Sequence, residues 1–215
     1  MASFAPDSEI LQMNRTTQAE LGAVPGADPR PDALSALRSA TASRHQELDS
    51  GLAIGAPDAS LADYAAHLAM LRAWLAPLQA WLPGFQDGPQ FDQAGRLALI
   101  DQDLAEQGMP PAPAAAALAA GAPAWPSAAS AAWRWGVCYV IEGSQLGGAV
   151  LHQRLHERLA PHPLRYLKGD AAGPGPRWRI FMQALREQVR TPAEVAEACA
   201  GASAAFDSIL ALRQR

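Results

Sequence analysis

Tyr139-Val140-Ile141-Glu142-Gly143-Ser144-Gln145-Leu146-Gly147-Gly148 is the stretch on which the reading of this chain turns. It lies near the centre of a long apolar segment, about Ser127 to Leu159, that reads as helix. Three glycines within six residues of such a helix cost about 1 kcal/mol each relative to alanine, so a sequence that keeps them uses them. Gly143 and Gly147 are four apart and Gly148 adjoins, which makes a helix face without side chains. Another backbone or a flat ligand can approach such a face closely, and the helix can kink there. Tight packing of small residues against a second helix is the alternative. A nucleotide loop is not: neither GxGxxG nor GxxxxGK[ST] is present, and no strand precedes the glycines.

Working outward, the remainder is helix punctuated by Pro and Gly. Asp32 is a plausible N-cap for a helix over about 32–50, with Leu34, Leu37 and Leu48 at helical spacing. Ser60 opens a second over about 60–82, where Pro77 is a point of kinking or splitting. A third covers about 91–107 and ends at Gly108. Residues 109–126 are a Pro/Ala connection. Beyond the central segment, Pro161, Pro163, Gly169, Gly173, Pro174, Gly175 and Pro176 break the chain. A helix over about 177–190 follows. Thr191, Pro192 and Glu194 form a capping box for a last helix. No run of period-two alternation asks for a strand. The expected fold is all-α and single-domain over 31–215, after a disordered tail over 1–30 that mixes polar residues with Pro and Gly.

The chain has 215 residues, 49% of them hydrophobic, enough for one sizeable core. Its net charge of −4 argues against nucleic acid or an anionic membrane surface as partner. Cys138 and Cys199 have no CxxC spacing and read as buried thiols of a reducing compartment. The N-terminal residues lack a secretory pattern, and the apolar tract Ala112–Trp125 is interrupted by Pro113, Gly121 and Pro123, so a cytoplasmic protein outside the membrane is expected.

Five histidines are candidates for chemistry. His152 and His156 share a helix face, but their neighbours Arg154, Glu157 and Arg158 make it a wet one. His67 reads as a half-buried packing residue and His162 as a loop histidine. His45 has a different setting. Arg38 lies seven residues before it and Asp49 four after, all on one side of the helix. A neutral imidazole can ligate iron through one nitrogen while the other donates to a carboxylate. Arg38 can meet an anionic group such as a propionate.

Leu37-Arg38-x-Ala40-Thr41-x-x-x-His45 resembles the proximal-helix motif of haem oxygenases, and Tyr139 to Gly148 resembles their distal helix in its bacterial form. Arg177-Trp178-Arg179-x-Phe181 and the closing helix to Phe206 fit the same order of elements, so the resemblance covers about residue 32 to the end. It implies haem held between a proximal N-terminal helix and a kinked, Gly-rich distal helix. It implies His45 as the iron ligand, Asp49 as its support, and Gly143, Ser144, Gly147 and Gly148 at the reacting face. Arg38, Tyr139, Arg177 and Arg179 are then candidates for holding haem, Arg38 by its propionates. Mammalian-type members carry an aspartate where this chain has Ser144. The implied reaction consumes O2 and electrons from an external donor, a ferredoxin or reductase, and opens haem to biliverdin, CO and ferrous iron. It would serve iron acquisition or a biliverdin-accepting phytochrome. A non-catalytic haem carrier or sensor on the same fold, and a plain helical interaction module, are the rival readings.

Overall fold

The computed structural model describes residues 32–85, 94–113 and 124–213. The chain divides into Met1–Arg30 and Pro31–Arg215, and every element below belongs to the second unit. The expected tail over 1–30 lies outside the described residues, as do 86–93 and 114–123. Seven α-helices are described: α1 Ala33–Gly51, α2 Leu61–Trp81, α3 Ala94–Leu104, α4 Ala131–Leu155, α5 Arg165–Lys168, α6 Gly175–Gln188 and α7 Pro192–Arg213. Two single 3-10 turns, Ala53–Gly55 and Leu82–Gly84, link them. No strand occurs among the described residues, and the all-α expectation holds.

The helix starts follow from their caps. The Asp32 carboxylate accepts from the Leu34 backbone N–H at 3.2 Å. Ser60 and Asp63 form a reciprocal box, Ser60 N–H donating to Asp63 at 2.8 Å and Asp63 N–H to Ser60 Oγ at 3.3 Å. The Thr191 box is closed in the same way, its backbone N–H donating to Glu194 at 2.8 Å. Several boundaries differ from expectation. α2 runs unbroken through Pro77, one turn before its end. α3 stops at Leu104, and the chain turns at Gly108 with φ 85°. α4 begins at Ala131 because Ser130, not Ser127, caps it, accepting from Trp133 N–H at 3.1 Å. α6 opens two residues early, at Gly175, and α5 forms inside what reads as a Pro-rich break.

Apolar faces of these helices converge on one core that includes Leu37, Tyr64, Leu68, Trp74, Leu78, Ile100, Val137, Ile141, Phe181 and Leu185. α7 is its centre, packed most heavily on α4 and then on α1. Its length and apolarity would suit a membrane span, but more than half of its most apolar window is buried by neighbouring helices. Small residues make the α4–α7 crossing possible. A Cβ at Gly136 would lie 1.8 Å from the Ala198 carbonyl oxygen, and one at Gly201 1.9 Å from that of Trp133. The two backbones touch there.

Candidate functional site

His45 is presented by α1 with its side chain 53% exposed. Its Nδ1 lies 2.9 Å from Asp49 Oδ2, one turn on. A proton on Nδ1 given to Asp49 leaves the lone pair of a neutral imidazole on Nε2, the arrangement of a metal-ligating histidine. The same bond raises the imidazole pKa, against the lowering effect of burial. Phe206 of α7 packs beside the ring, centroids 5.8 Å apart and planes at 60°. Two contacts pin α1 to α7 around it. Arg44 donates to both oxygens of Asp207 at 2.6 and 3.2 Å, and Arg213 donates to Glu47 Oε1 at 3.1 Å. The pairs 44–207 and 47–213 make the two helices parallel.

α4 changes character along its length. From Ala132 to Glu142 it is mostly buried, whereas every residue from 143 to 152 is half-buried or exposed, Leu146, Val150 and Leu151 included. The change falls on the glycine cluster. A Cβ at Gly147 would meet nothing within 4 Å, one at Gly148 only Leu167 at 3.8 Å, and one at Gly143 only the Trp178 ring at 3.7 Å. None of the three has another helix's backbone against it, in contrast to Gly136 and Gly201. Small-residue packing, the alternative for these glycines, therefore belongs to the other pair.

Arg38 meets Tyr139 where α1 approaches α4. The nearby guanidinium pulls the phenol down, while burial pushes it up more. Tyr139 in turn packs on Trp178 at 5.7 Å, and Trp178 stacks on Phe181 at 5.6 Å with planes 18° apart. Arg38, Tyr139, Trp178 and Gly143 thus form one continuous wall, with His45 two helical turns along α1 from Arg38.

Other candidates are placed elsewhere. Arg177, expected to face a propionate, is instead bidentate on Glu142 at 2.7 and 2.9 Å. Arg96 reaches the same carboxylate at 2.7 Å. Glu142 is 3% exposed, and a carboxylate so buried needs cationic partners, which explains the commitment of Arg177. Arg179 is exposed on α6. Ser144 Oγ donates to the Ile141 carbonyl at 2.8 Å. His152 and His156 stack at 5.3 Å, while Arg154 and Arg158, offset from them by two positions, hold the carbonyls of Gly55 and Pro57 and dock that turn. His162 is buried, not a solvated loop residue. Its Nδ1 accepts from Leu164 N–H and its Nε2 lies 3.2 Å from the Asp103 carbonyl. Cys138 is buried as expected, while Cys199 is half-buried beside Tyr139.

The residues suit haem. A single supported imidazole is the ligand set required by an iron that brings four nitrogens of its own, and among the described residues no cluster of three or more His, Cys, Asp or Glu would hold a bare ion. An apolar helix half stripped of side chains, with Arg38 nearby, is the surface a flat, dianionic macrocycle needs. Sequence reasoning missed four neighbours. Trp178 was quoted without a role, Arg96 and Tyr166 carry no local signal, and Phe206 needed the packing of α7 to reach His45.

The family model described as Heme oxygenase matches residues 32–215. A curated protein named heme oxygenase, from Xanthomonas campestris pv. campestris (strain 8004), is 44% identical over 86 residues. That stretch is 38% of this chain and spans half the length of the relative. The fold is similar to the crystal structures of the NO- and CO-bound heme oxygenase from Neisseria meningitidis, with TM-score 0.62 and 24% identity. The likeness covers 85% of this chain and 90% of that one.

Proposed function

The chain belongs to the haem oxygenase family, and on that footing we propose that it binds haem as substrate through His45 and opens the macrocycle to biliverdin. Bound haem supplies the iron at which O2 is activated with electrons from an external ferredoxin or reductase, and its opening yields biliverdin, CO and ferrous iron. The protein's part is positional. His45 Nε2 ligates, and Asp49 fixes the tautomer and ring plane through Nδ1. Gly143, Gly147 and Gly148 keep the opposite face low. Ser144 and Gln145 are the polar side chains among them. Arg38, beside Tyr139, and the exposed Arg179 supply positive charge for the propionates. The same reaction would serve iron acquisition or a phytochrome's chromophore.

The observation that carries this reading is Gly147: a bare helix position with nothing within 4 Å of its absent Cβ, on an apolar helix left half-uncovered. The test is titration with hemin followed by ascorbate in air, with the product identified by chromatography. A Soret band that forms, depends on His45 by comparison with His45→Ala, and gives way to biliverdin is expected. A haem complex that is reduced and never opens makes the protein a carrier or sensor. No Soret shift makes it an interaction module.

A further inference from the structure

The end of α4 carries a pair of imidazoles that neither ligation by His45 nor haem seating uses. His152 and His156 stand four residues apart and share one face of the helix. Their ring centroids lie 5.3 Å apart. Two imidazoles bound to one tetrahedral ion, each nitrogen about 2.0 Å from it, have centroids roughly 5 Å apart, so the spacing suits a shared ion. The ring planes differ by only 14°, so one ring has to turn before both nitrogens point at the same place. His152 is free to do so: it is half-buried at the surface and makes no hydrogen bond to a described residue.

His156 is already oriented. Its Nδ1 lies 3.1 Å from the carbonyl oxygens of both His152 and Gln153. A carbonyl only accepts, so Nδ1 carries the proton and Nε2 keeps its lone pair. A backbone carbonyl fixes the tautomer of a metal-ligating histidine in the same way. The His156 side chain is 49% exposed, and Glu157 Oε1 stands 3.9 Å from its Nε2. Burial, His156 and Lys168 hold the His152 pKa below its ordinary value, so that ring is neutral, the ligating form, at pH 7. The charges around the pair are mixed. Glu157 and the negative pole at the C-terminal end of α4 favour a cation, and Lys168 opposes one. Arg154 and Arg158 are committed to the carbonyls of Gly55 and Pro57.

We propose that His152 and His156 form a surface site for a first-row divalent cation of the imidazole-preferring class, with His156 giving Nε2 and water filling the positions the two rings leave. Two protein ligands are fewer than the three or four that hold an ion permanently, so this ion exchanges with solution. Zn2+, Ni2+ and Cu2+ belong to the class. Ferrous iron, which the proposed opening of haem releases, belongs to it as well. The site stands independently of haem binding at His45.

The experiment is a calorimetric titration of the untagged full chain at pH 7, with Zn2+ and, without air, with Fe2+. His45 beside Asp49 is the other exposed histidine, so the wild type is compared with His45→Ala. One site that persists in His45→Ala is expected for each ion, Fe2+ binding the more weakly. His152→Ala and His156→Ala, each added to His45→Ala, are expected to weaken Zn2+ binding at least about tenfold while keeping the circular dichroism spectrum. Zn2+ bound without Fe2+ supports the site and assigns it to an ion from solution rather than to the reaction's product. No Zn2+ binding below about 1 mM overturns the proposal, and so does an affinity that both histidine variants leave unchanged. Hemin titration of His152→Ala alone is expected to match the wild type, so failure of the haem oxygenase reading is a separate result.

Discussion

Gly136 and Gly147 stand eleven residues apart on one helix and have opposite surroundings. The space beside Gly147 is open, so a side chain there should leave folding intact and fill the ligand's place. Gly147→Leu is expected to keep the wild-type circular dichroism spectrum and melting temperature, within about 0.5 kcal/mol. The same variant should weaken hemin binding at least about tenfold, or 1.4 kcal/mol, in a Soret titration. A variant that binds normally would place haem elsewhere. His45 was singled out by its spacing from Arg38 and Asp49, and the Asp49 contact at 2.9 Å is there. Arg177 looked equally suitable and is not, because the need of a buried Glu142 for a cation cannot be read from either residue alone.

At the scale of elements, α4 does two things with one sequence pattern. Its first half crosses α7 through Gly136 and Gly201, and its second half turns bare glycines outward. Both halves are apolar and small-residue-rich, so periodicity does not separate them. Gly136→Ala would drive a methyl group into the Ala198 carbonyl, which is rigid backbone. A loss of about 3 kcal/mol is expected, seen as a fall of about 10 °C in melting temperature. Gly143→Ala should cost much less, since the nearest atoms belong to the Trp178 ring at 3.7 Å, an ordinary contact. Equal losses in the two variants would refute the division of α4. The helix starts were legible because capping is local: Asp32, Ser60 and Thr191 act within three residues. α5 was not, because Asp103 and His162, distant from it in sequence or outside any helix, hold it in place.

For the whole molecule, acid stability gives a separate check on packing. The His67 ring nitrogen Nδ1 is buried without a hydrogen-bond partner, and burial lowers its pKa from an ordinary 6.5 to about 4. The folded protein therefore binds this proton less readily than the unfolded chain. Its contribution to stability is fully present above pH 6.5 and is lost as the pH falls from 6.5 to about 4. Comparing denaturant midpoints at pH 7 and pH 4, His67→Leu should lose less stability than wild type, by on the order of 2 kcal/mol once partial exposure of the residue is allowed for. Identical pH dependence in the two proteins would show that the ring is hydrated.

The sequence by itself determined six of the seven described helices, the caps at Asp32, Ser60 and Thr191, the glycine cluster of α4 and the family resemblance, because each of these is written in residues a few positions apart. It also determined that His45, Arg38 and Asp49 share a face, which is a matter of helical period. Only the tertiary structure decided which glycines pack and which stay open, that Arg177 serves Glu142, that Arg38 meets Tyr139, and that Tyr166 reaches Gln145. Those outcomes depend on which buried charge or polar group finds a partner across the core, a competition among residues tens to more than a hundred positions apart that local spacing does not encode.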